Sequence, residues 1–249
     1  MTTKKEKTSR KGGRMGLITP DEEVEAHFGQ IAALIGERSR AVMLWNLLDG
    51  RSYTATELAL CANISKQACS SHLNQLLDAG ILRVEKQGRH RYFTFASDSA
   101  ARVIESIASL MRKDIGMETK HDVIPTGIRF ARTCYDHLAG RAGVVIFQEI
   151  ISQGLLITKA DQLMITTQGE QWFNNFSIDT NELQRRNRNF VYACMDWSDR
   201  RPHLGGSLAA ELLKRFLDLD WFRRIRDSRE VFVTPKGKIE LARMLRVDL

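Results

Sequence analysis

No apolar run in this chain of 249 residues approaches the roughly 18 residues that cross a bilayer, so no membrane partner is expected. The opening stretch MTTKKEKTSRKGGRMG is basic, but no apolar segment follows it, and it does not read as a secretory signal. A cytoplasmic protein is expected. Cysteine is scarce, with only Cys61, Cys69, Cys134 and Cys194. In a reducing compartment these are free thiols rather than a disulfide framework. Common catalytic signatures are also missing: no G-x-x-x-x-G-K-[ST], no G-x-G-x-x-G after a strand, no H-E-x-x-H and no G-x-S-x-G. A nucleophilic pair of Cys134 and His137 would still need an orienting group and an oxyanion hole. The chain is therefore not expected to be an enzyme, and a thiol- or metal-dependent enzyme is the weakest alternative.

What is present is an ordinary globular composition, 43% hydrophobic and 27% charged, with unevenly placed positive charge. The formal net charge is +7, yet residues 1–16 alone carry six Lys/Arg against one Glu. Most of the basicity thus belongs to an arm, residues 1–18, expected to be disordered. Such an arm either contacts phosphates or simply solubilises the chain.

Helical signals follow. In TPDEEVEAHFGQIAALI, Thr19 offers a cap, Pro20 fits the first helical position, and the acidic run complements the helix dipole. RSRAVMLWNLL, residues 38–48, has apolar residues at helical spacing and stops at the Asp-Gly pair. TATELALCANIS gives a short helix capped by Thr54 or Thr56, and SKQACSSHLNQLLDAG runs from a cap at Ser65 to a stop at Gly80. The period then changes. ILRVEKQGRHRYFTFA alternates about Gly88 and predicts a β-hairpin, and a further amphipathic helix follows from a cap at Asp98 or Ser99. Helix, helix, turn, helix and basic hairpin make a winged helix-turn-helix.

The helix from Ser65 has two faces. Cys69, Leu73, Leu76 and Leu77 share one side at spacings of three and four, which packs them inward. Lys66, Gln67, Ser70, Ser71 and Asn74 face the other way with donors and acceptors able to reach base edges and phosphates, and His72 sits at the margin. Lys86, Arg89, His90 and Arg91 flank Gly88 in the hairpin, where positive charge can grip neighbouring phosphates. Ser65, Lys66, Gln67, Ser70, Ser71, His72, Asn74, Lys86, Arg89, His90 and Arg91 are the candidate DNA-binding residues.

GERSRAVMLWNLL, ISKQACSSHLNQLLDAGIL and VEKQGRHRYFTF resemble the ArsR-type bacterial repressors across roughly residues 24–112. The resemblance implies a homodimer joined through the first helix and the helix after the wing. It also implies a pseudo-palindromic operator and release of DNA on binding a ligand. Cys69 stands where ArsR-like recognition helices often carry Val, which makes it an apolar plug. Two departures concern metal sites. Arsenic sensors resemble E-L-C-V-C-D ahead of the recognition helix, whereas Glu57-Leu58-Ala59-Leu60-Cys61-Ala62 lacks one thiol. Zinc sensors carry His on the helix after the wing, whereas residues 98–114 hold Asp98, Glu105 and Asp114 but no His. The long C-terminal half is a third departure from the minimal repressors.

Across that half runs a faint repeat. Residues 147–173 and 212–244 each show a helix end, a strand, a polar turn, a strand ending in Thr, and a Gly before a new helix. This predicts two further helix–hairpin–helix units resembling winged helices. RTCYDHLAGRAG and ACMDWSDRRPHLGG each pair a Cys with a His ahead of Leu and small residues. Cys134 and His137, three apart, would share a helix face. With Cys194 and His203 they offer two sulfurs and two imidazoles that suit a thiophilic metal ion, although small buried cysteines are also common core fillers. Tyr135, Trp197, Arg200 and Arg201 are candidates for a small organic anionic ligand. The CYDHLAG and DWSDRRPHLGG pair resembles the C-terminal region of a subset of longer ArsR-like regulators.

The expected fold is mainly α with small β-hairpins. The organisation is a basic arm (1–18), a winged helix-turn-helix domain (19–114), a linker (115–127) and a C-terminal effector domain (128–249). The expected function is a homodimeric transcriptional repressor on double-stranded DNA, modulated by a ligand sensed in its C-terminal domain, with no cofactor needed for DNA binding itself. A non-sensing architectural or nucleoid DNA-binding protein is the chief alternative.

Overall fold

The computed structural model describes residues 20–108, 110, 126–160, 162–226 and 228–249. The basic arm, the expected cap Thr19 and all but the last two residues of the expected linker lie outside the described residues. Among the described residues, no helix is long and apolar enough to cross a membrane.

The N-terminal unit is mainly helical. Helix α1 (Pro20–Gly36) leads into α2 (Arg38–Leu47), which Glu37 caps by accepting from the Ser39 and Arg40 amides at 3.0 and 2.9 Å. A short strand β1 (Tyr53–Thr54) precedes α3 (Ala55–Ala62). Thr54 and Glu57 form a reciprocal capping box there, which satisfies backbone donors left open by the first turn. Helix α4 (Lys66–Asp78) starts from Ser65, whose Oγ accepts from the Ala68 amide at 3.1 Å. Strands β2 (Leu82–Gln87) and β3 (His90–Phe95) form the hairpin, and β1 pairs with β3 to complete a sheet in the order β1-β3-β2. Gly88, at φ +58°, makes the wing turn. Helix α5 (Asp98–Ala108) is capped by Ser97, which accepts from the Ala100 amide at 3.1 Å; the cap thus stands one residue before the expected Asp98. Met43, Leu44, Leu47, Leu58, Leu73, Leu76, Phe93 and Phe95 form one buried core with the Cys69 side chain. Full burial of each such side chain contributes roughly 1.5–3 kcal/mol.

The C-terminal half is a tandem duplication. In the first repeat, β4 (Arg132–Cys134) and β5 (His137–Ala139) form a hairpin that feeds α6 (Gly140–Ser152). A second hairpin, β6 (Leu156–Lys159) and β7 (Gln162–Ile165), then leads into α7 (Thr167–Asn175). After the short α8 (Thr180–Arg185), the pattern recurs as β8 (Tyr192–Met195), β9 (Pro202–Gly205), α9 (Ser207–Asp218), β10 (Phe222–Arg224), β11 (Val231–Val233) and α10 (Pro235–Leu245). The two expected helix–hairpin–helix units are therefore present, each with an additional hairpin in front of its first helix.

Local chemistry explains the likeness of the repeats. Thr166 and Thr234 each cap the helix that follows, accepting from the Gly169 and Gly237 amides at 2.9 Å. Each also donates its hydroxyl back to the preceding turn, to Gly154 O and to Asp220 O, at 2.7 Å. A β-carbon on Gly169 or Gly237 would strike the Leu155 or Trp221 carbonyl oxygen at 2.0 or 2.1 Å, so only glycine permits this closure. The winged helix carries the same latch in outline: the amides of Ala96, Thr166 and Thr234 donate to Ile81 O, Leu155 O and Trp221 O at 3.0, 3.1 and 2.9 Å. The two repeats share one core, which includes Phe147, Ile150, Phe173, Leu183, Leu212, Phe216, Trp221 and Leu241.

Polar contacts help dock the two halves. The Tyr135 amide donates to Leu48 O at 2.7 Å, and the Arg224 guanidinium donates to Asp49 O at 2.8 Å. Arg188 bridges Asp98 and Asp136 at 2.9 and 2.8 Å. Buried Arg229 pairs with Glu105 of α5, while its guanidinium stacks on Trp45 of α2 at 4.5 Å from the ring centre.

Candidate DNA-reading face and a buried cysteine–histidine cluster

On α4, Cys69, Leu73 and Leu76 are buried, and Ser65, Lys66, Gln67, Ser70, Ser71 and Asn74 are all exposed. The helix therefore has its apolar side in the core and a continuous polar side in solvent. Ser70 donates its hydroxyl to Lys66 O at 2.9 Å, which leaves its oxygen lone pairs as acceptors. At the wing, Lys86, Arg89, His90 and Arg91 are exposed too. The structure brings these two groups onto one domain.

His72 is placed differently. Its Nδ1 lies 3.1 Å from the Arg40 guanidinium and 3.8 Å from the Glu37 carboxylate. Arg40, itself buried, also donates to Gln75 at 2.8 Å, to Ala33 O at 3.2 Å and to Leu34 O. His72 thus belongs to a clamp between α1, α2 and α4 instead of projecting with the serines. Cys69 is a plug: its Sγ meets Met43 Sδ at 3.7 Å and Ala55 O at 3.3 Å, and burial pushes the thiol pKa up.

Cys134, His137, Cys194 and His203, scattered over 70 residues of sequence, meet in one place. Their candidate ligand atoms all lie within 4.8 Å of one another. The expectation that Cys134 and His137 share a helix face is corrected: they are cross-strand partners at the tip of the β4–β5 hairpin, as Cys194 and His203 are across β8–β9. Three positions is also the span of a two-residue hairpin turn, and Tyr135, at φ +58°, makes that turn. The duplication thus puts one Cys–His pair on each repeat at equivalent register.

The surroundings of the cluster are charged and buried. Asp196 is fully buried. Its Oδ2 accepts from Arg132 at 2.9 Å and from the Gly140 amide, the first of α6, at 2.7 Å. Its Oδ1 accepts from Ser198 and from the Asp199 amide. This support and the Arg132 charge hold the carboxyl well below its ordinary pKa in spite of burial. The hydrogen bond with Cys194, reinforced by burial, raises the Cys134 thiol pKa, and burial depresses the basicity of His203, as does neighbouring His137. Spacing gave no sign of the Arg132–Asp196 and Glu105–Arg229 pairs, whose members are far apart in sequence.

Tyr135, Trp197, Arg200 and Arg201 are not brought together as a ligand pocket. Tyr135 packs edge-on against Phe95, 6.0 Å between ring centres, in the N-terminal half. Trp197 is covered by the Arg132 guanidinium at 4.2 Å and by Trp45. Arg201 pairs with Asp199 at 2.6 Å, and Arg200 is exposed in a left-handed turn. A surface cleft of about 920 Å³ runs instead between Phe147, Ile151, Leu163, Val191 and Tyr192, and none of the four lines it.

An exposed polar recognition helix beside a cationic wing defines a DNA-binding unit of the winged helix-turn-helix class. A family model described as a Helix-turn-helix domain matches residues 35–85. The chain is 37% identical over 223 residues to the HTH-type transcriptional regulator YdfF of Bacillus subtilis (strain 168), a match that covers 90% of this chain and 99% of that protein. The chain belongs to this family of helix-turn-helix transcriptional regulators. Among solved structures, the homodimeric winged helix-turn-helix domain of Mb0332 from Mycobacterium bovis is 15% identical, covers 43% of this chain and 98% of its own, and has a TM-score of 0.37. The AntR antimony-specific transcriptional repressor is 24% identical, covers 42% and 92%, and has a TM-score of 0.33.

Proposed function

We propose that this regulator is a homodimeric repressor that binds a pseudo-palindromic operator and is modulated through its C-terminal half. Lys66, Gln67, Ser70, Ser71 and Asn74 read the major groove, and the wing residues Lys86, Arg89, His90 and Arg91 hold phosphates. The observation that carries this reading is the segregation of α4, with Cys69, Leu73 and Leu76 buried and Lys66, Gln67, Ser70, Ser71 and Asn74 exposed. Dimerisation is supported by two exposed apolar stripes: Val24, Phe28 and Ile31 on α1, and Val103, Ile107 and Leu110 on or just beyond α5. In water such stripes favour a partner of the same kind. Modulation is supported by the buried pair from Arg229 to Glu105, which ties the C-terminal half to the helix that carries one of those stripes.

The test is a fluorescence titration with the promoter DNA of its own gene against random DNA at physiological salt. Specific binding far tighter than random binding is expected, and equal affinity would overturn the reading. Loss of a base contact in the Ser70→Ala/Ser71→Ala variant should cost about 1–3 kcal/mol of specific affinity. Arg89→Ala should weaken binding to all sequences and reduce the salt slope by about 1. Phe28→Asp should shift the sedimentation coefficient to that of a monomer and abolish operator binding.

A further inference from the structure

The geometry points to a metal site made by the duplication itself: Cys134, His137, Cys194 and His203 hold one divalent thiophilic cation of the zinc class, tetrahedrally, between the two repeats. The sulfurs of Cys134 and Cys194 lie 3.9 Å apart. With zinc–sulfur bonds of about 2.3 Å, two thiolates of a tetrahedral site stand about 3.8 Å apart, so the sulfurs are already spaced for a shared ion. The imidazoles of His137 and His203 face each other at 5.2 Å between ring centres. Small side-chain rotations would bring the remaining ligand atoms, none more than 4.8 Å from another, into the first coordination shell.

Unmet hydrogen-bonding capacity points the same way. His137 and His203 are 2% and 0% exposed, yet the Nε2 atoms of both lack a hydrogen-bond partner. Buried polar atoms of this kind are costly unless something satisfies them. On the other side of each ring stands a carboxylate: Asp136 lies 3.3 Å from His137 Nδ1, and Asp196 lies 3.6 Å from His203 Nδ1. Metal-bound histidines are oriented by such outer carboxylates, which leave the far nitrogen for the ion. His137 presents that arrangement; at His203, in the equivalent place of the second repeat, the carboxylate stands just beyond hydrogen-bond reach and both ring nitrogens lack a partner.

Charge balance fits as well. Buried Arg132 and Arg229 are already matched by Asp196 and Glu105, so a further bare dication would be unbalanced there. Two thiolates neutralise it, and the two thiol protons leave to solvent as the ion binds. Two sulfurs with two imidazoles in tetrahedral array suit Zn²⁺ over the hard, oxygen-seeking cations. Cys194 is half-buried at the floor of a cleft of about 220 Å³ lined by Arg102, Glu105, Ser106, Tyr192 and Met195, which offers an entry path beside α5.

The experiment uses the full-length protein with Zn²⁺ and Co²⁺ as probes. One ion per chain by mass spectrometry is expected, with the visible bands of tetrahedral cobalt and a thiolate charge-transfer band. Alkylation mapping should show Cys134 and Cys194 protected by Zn²⁺ while exposed Cys61 still reacts. That readout needs no variant and is unaffected if a cysteine variant misfolds. Asp136→Asn should weaken metal affinity by about 10–100-fold. Absence of uptake by folded protein, a six-coordinate cobalt spectrum, unchanged reactivity of both cysteines, or recovery of a Cys134–Cys194 disulfide from protein prepared under reducing conditions would overturn the site. Its effect on DNA rests on the proposed function and fails separately. Operator affinity should differ at least tenfold between metal-loaded and chelator-treated protein. Equal affinities with the ion demonstrably bound would overturn the signalling role and leave the metal site standing.

Discussion

The two C-terminal repeats are built to one pattern but joined differently at their tips. Between Cys134 and His137 there are only Tyr135 and Asp136, whereas between Cys194 and His203 the chain inserts a longer loop holding Asp196 and Trp197. The short tip faces outward to the DNA-binding half. The long one touches that half as well, through Trp197 against Trp45, and its Asp196 also reaches the Arg132 side chain and the first amide of α6, both in the other repeat. Duplication thus supplied a matched pair of frames, and the difference in one loop locked them together.

That contrast can be broken most severely at Asp196. Asp196→Ala should cost about 3–5 kcal/mol, because it strands Arg132 as a buried unpaired charge. Asp136→Ala, at an aspartate whose side chain is 25% exposed, should cost at most about 1 kcal/mol, as expected for a partly solvated ion pair. Denaturant unfolding of the two variants measures the gap, and similar losses would show that the long loop is not the lock. A finer test compares Gly206 with Gly140, the helix-entry glycines at φ +103° and +78°. A β-carbon would meet the Phe190 carbonyl oxygen at 2.4 Å in one and the Phe130 carbonyl oxygen at 2.8 Å in the other. Alanine at either should cost about 1–3 kcal/mol through backbone strain, with Gly206→Ala the larger. The smallest expected effect is a pair of equal ones: Thr166→Ala and Thr234→Ala should each cost about 1 kcal/mol as lost helix caps. Unequal midpoints in the same unfolding assay would show that the latches are not equivalent.

How much of this could be read in advance depended on distance along the chain. The α4 cap at Ser65, the burial of Cys69, Leu73 and Leu76 and the wing about Gly88 rest on neighbours within a turn or a hairpin, and the sequence pattern exposes them. The repeat was visible because its Thr and Gly latch residues are spaced alike in both copies. Cys134 and His137 were readable as partners but not as hairpin partners, because a separation of three suits a helix face and a two-residue turn equally. The charged core was hidden. Nothing local links Glu105 to Arg229 or Arg132 to Asp196, and once Arg132 covers Trp197, the expected aromatic ligand pocket has no room to form.

The two-residue tip of the first repeat has a practical consequence for anyone wishing to borrow the DNA-binding half as a cassette. Tyr135 supplies the amide that satisfies Leu48 O at the end of α2, and its carbonyl sits against Gly50 so closely that a β-carbon there would lie 2.4 Å away. Its ring completes the packing around Phe95. A fusion cut after α5 would discard a turn that finishes the helix-turn-helix from outside its own sequence. The working module for a chimaera therefore extends through the Tyr135 turn, and by that point it already includes the first cysteine and histidine of the cluster.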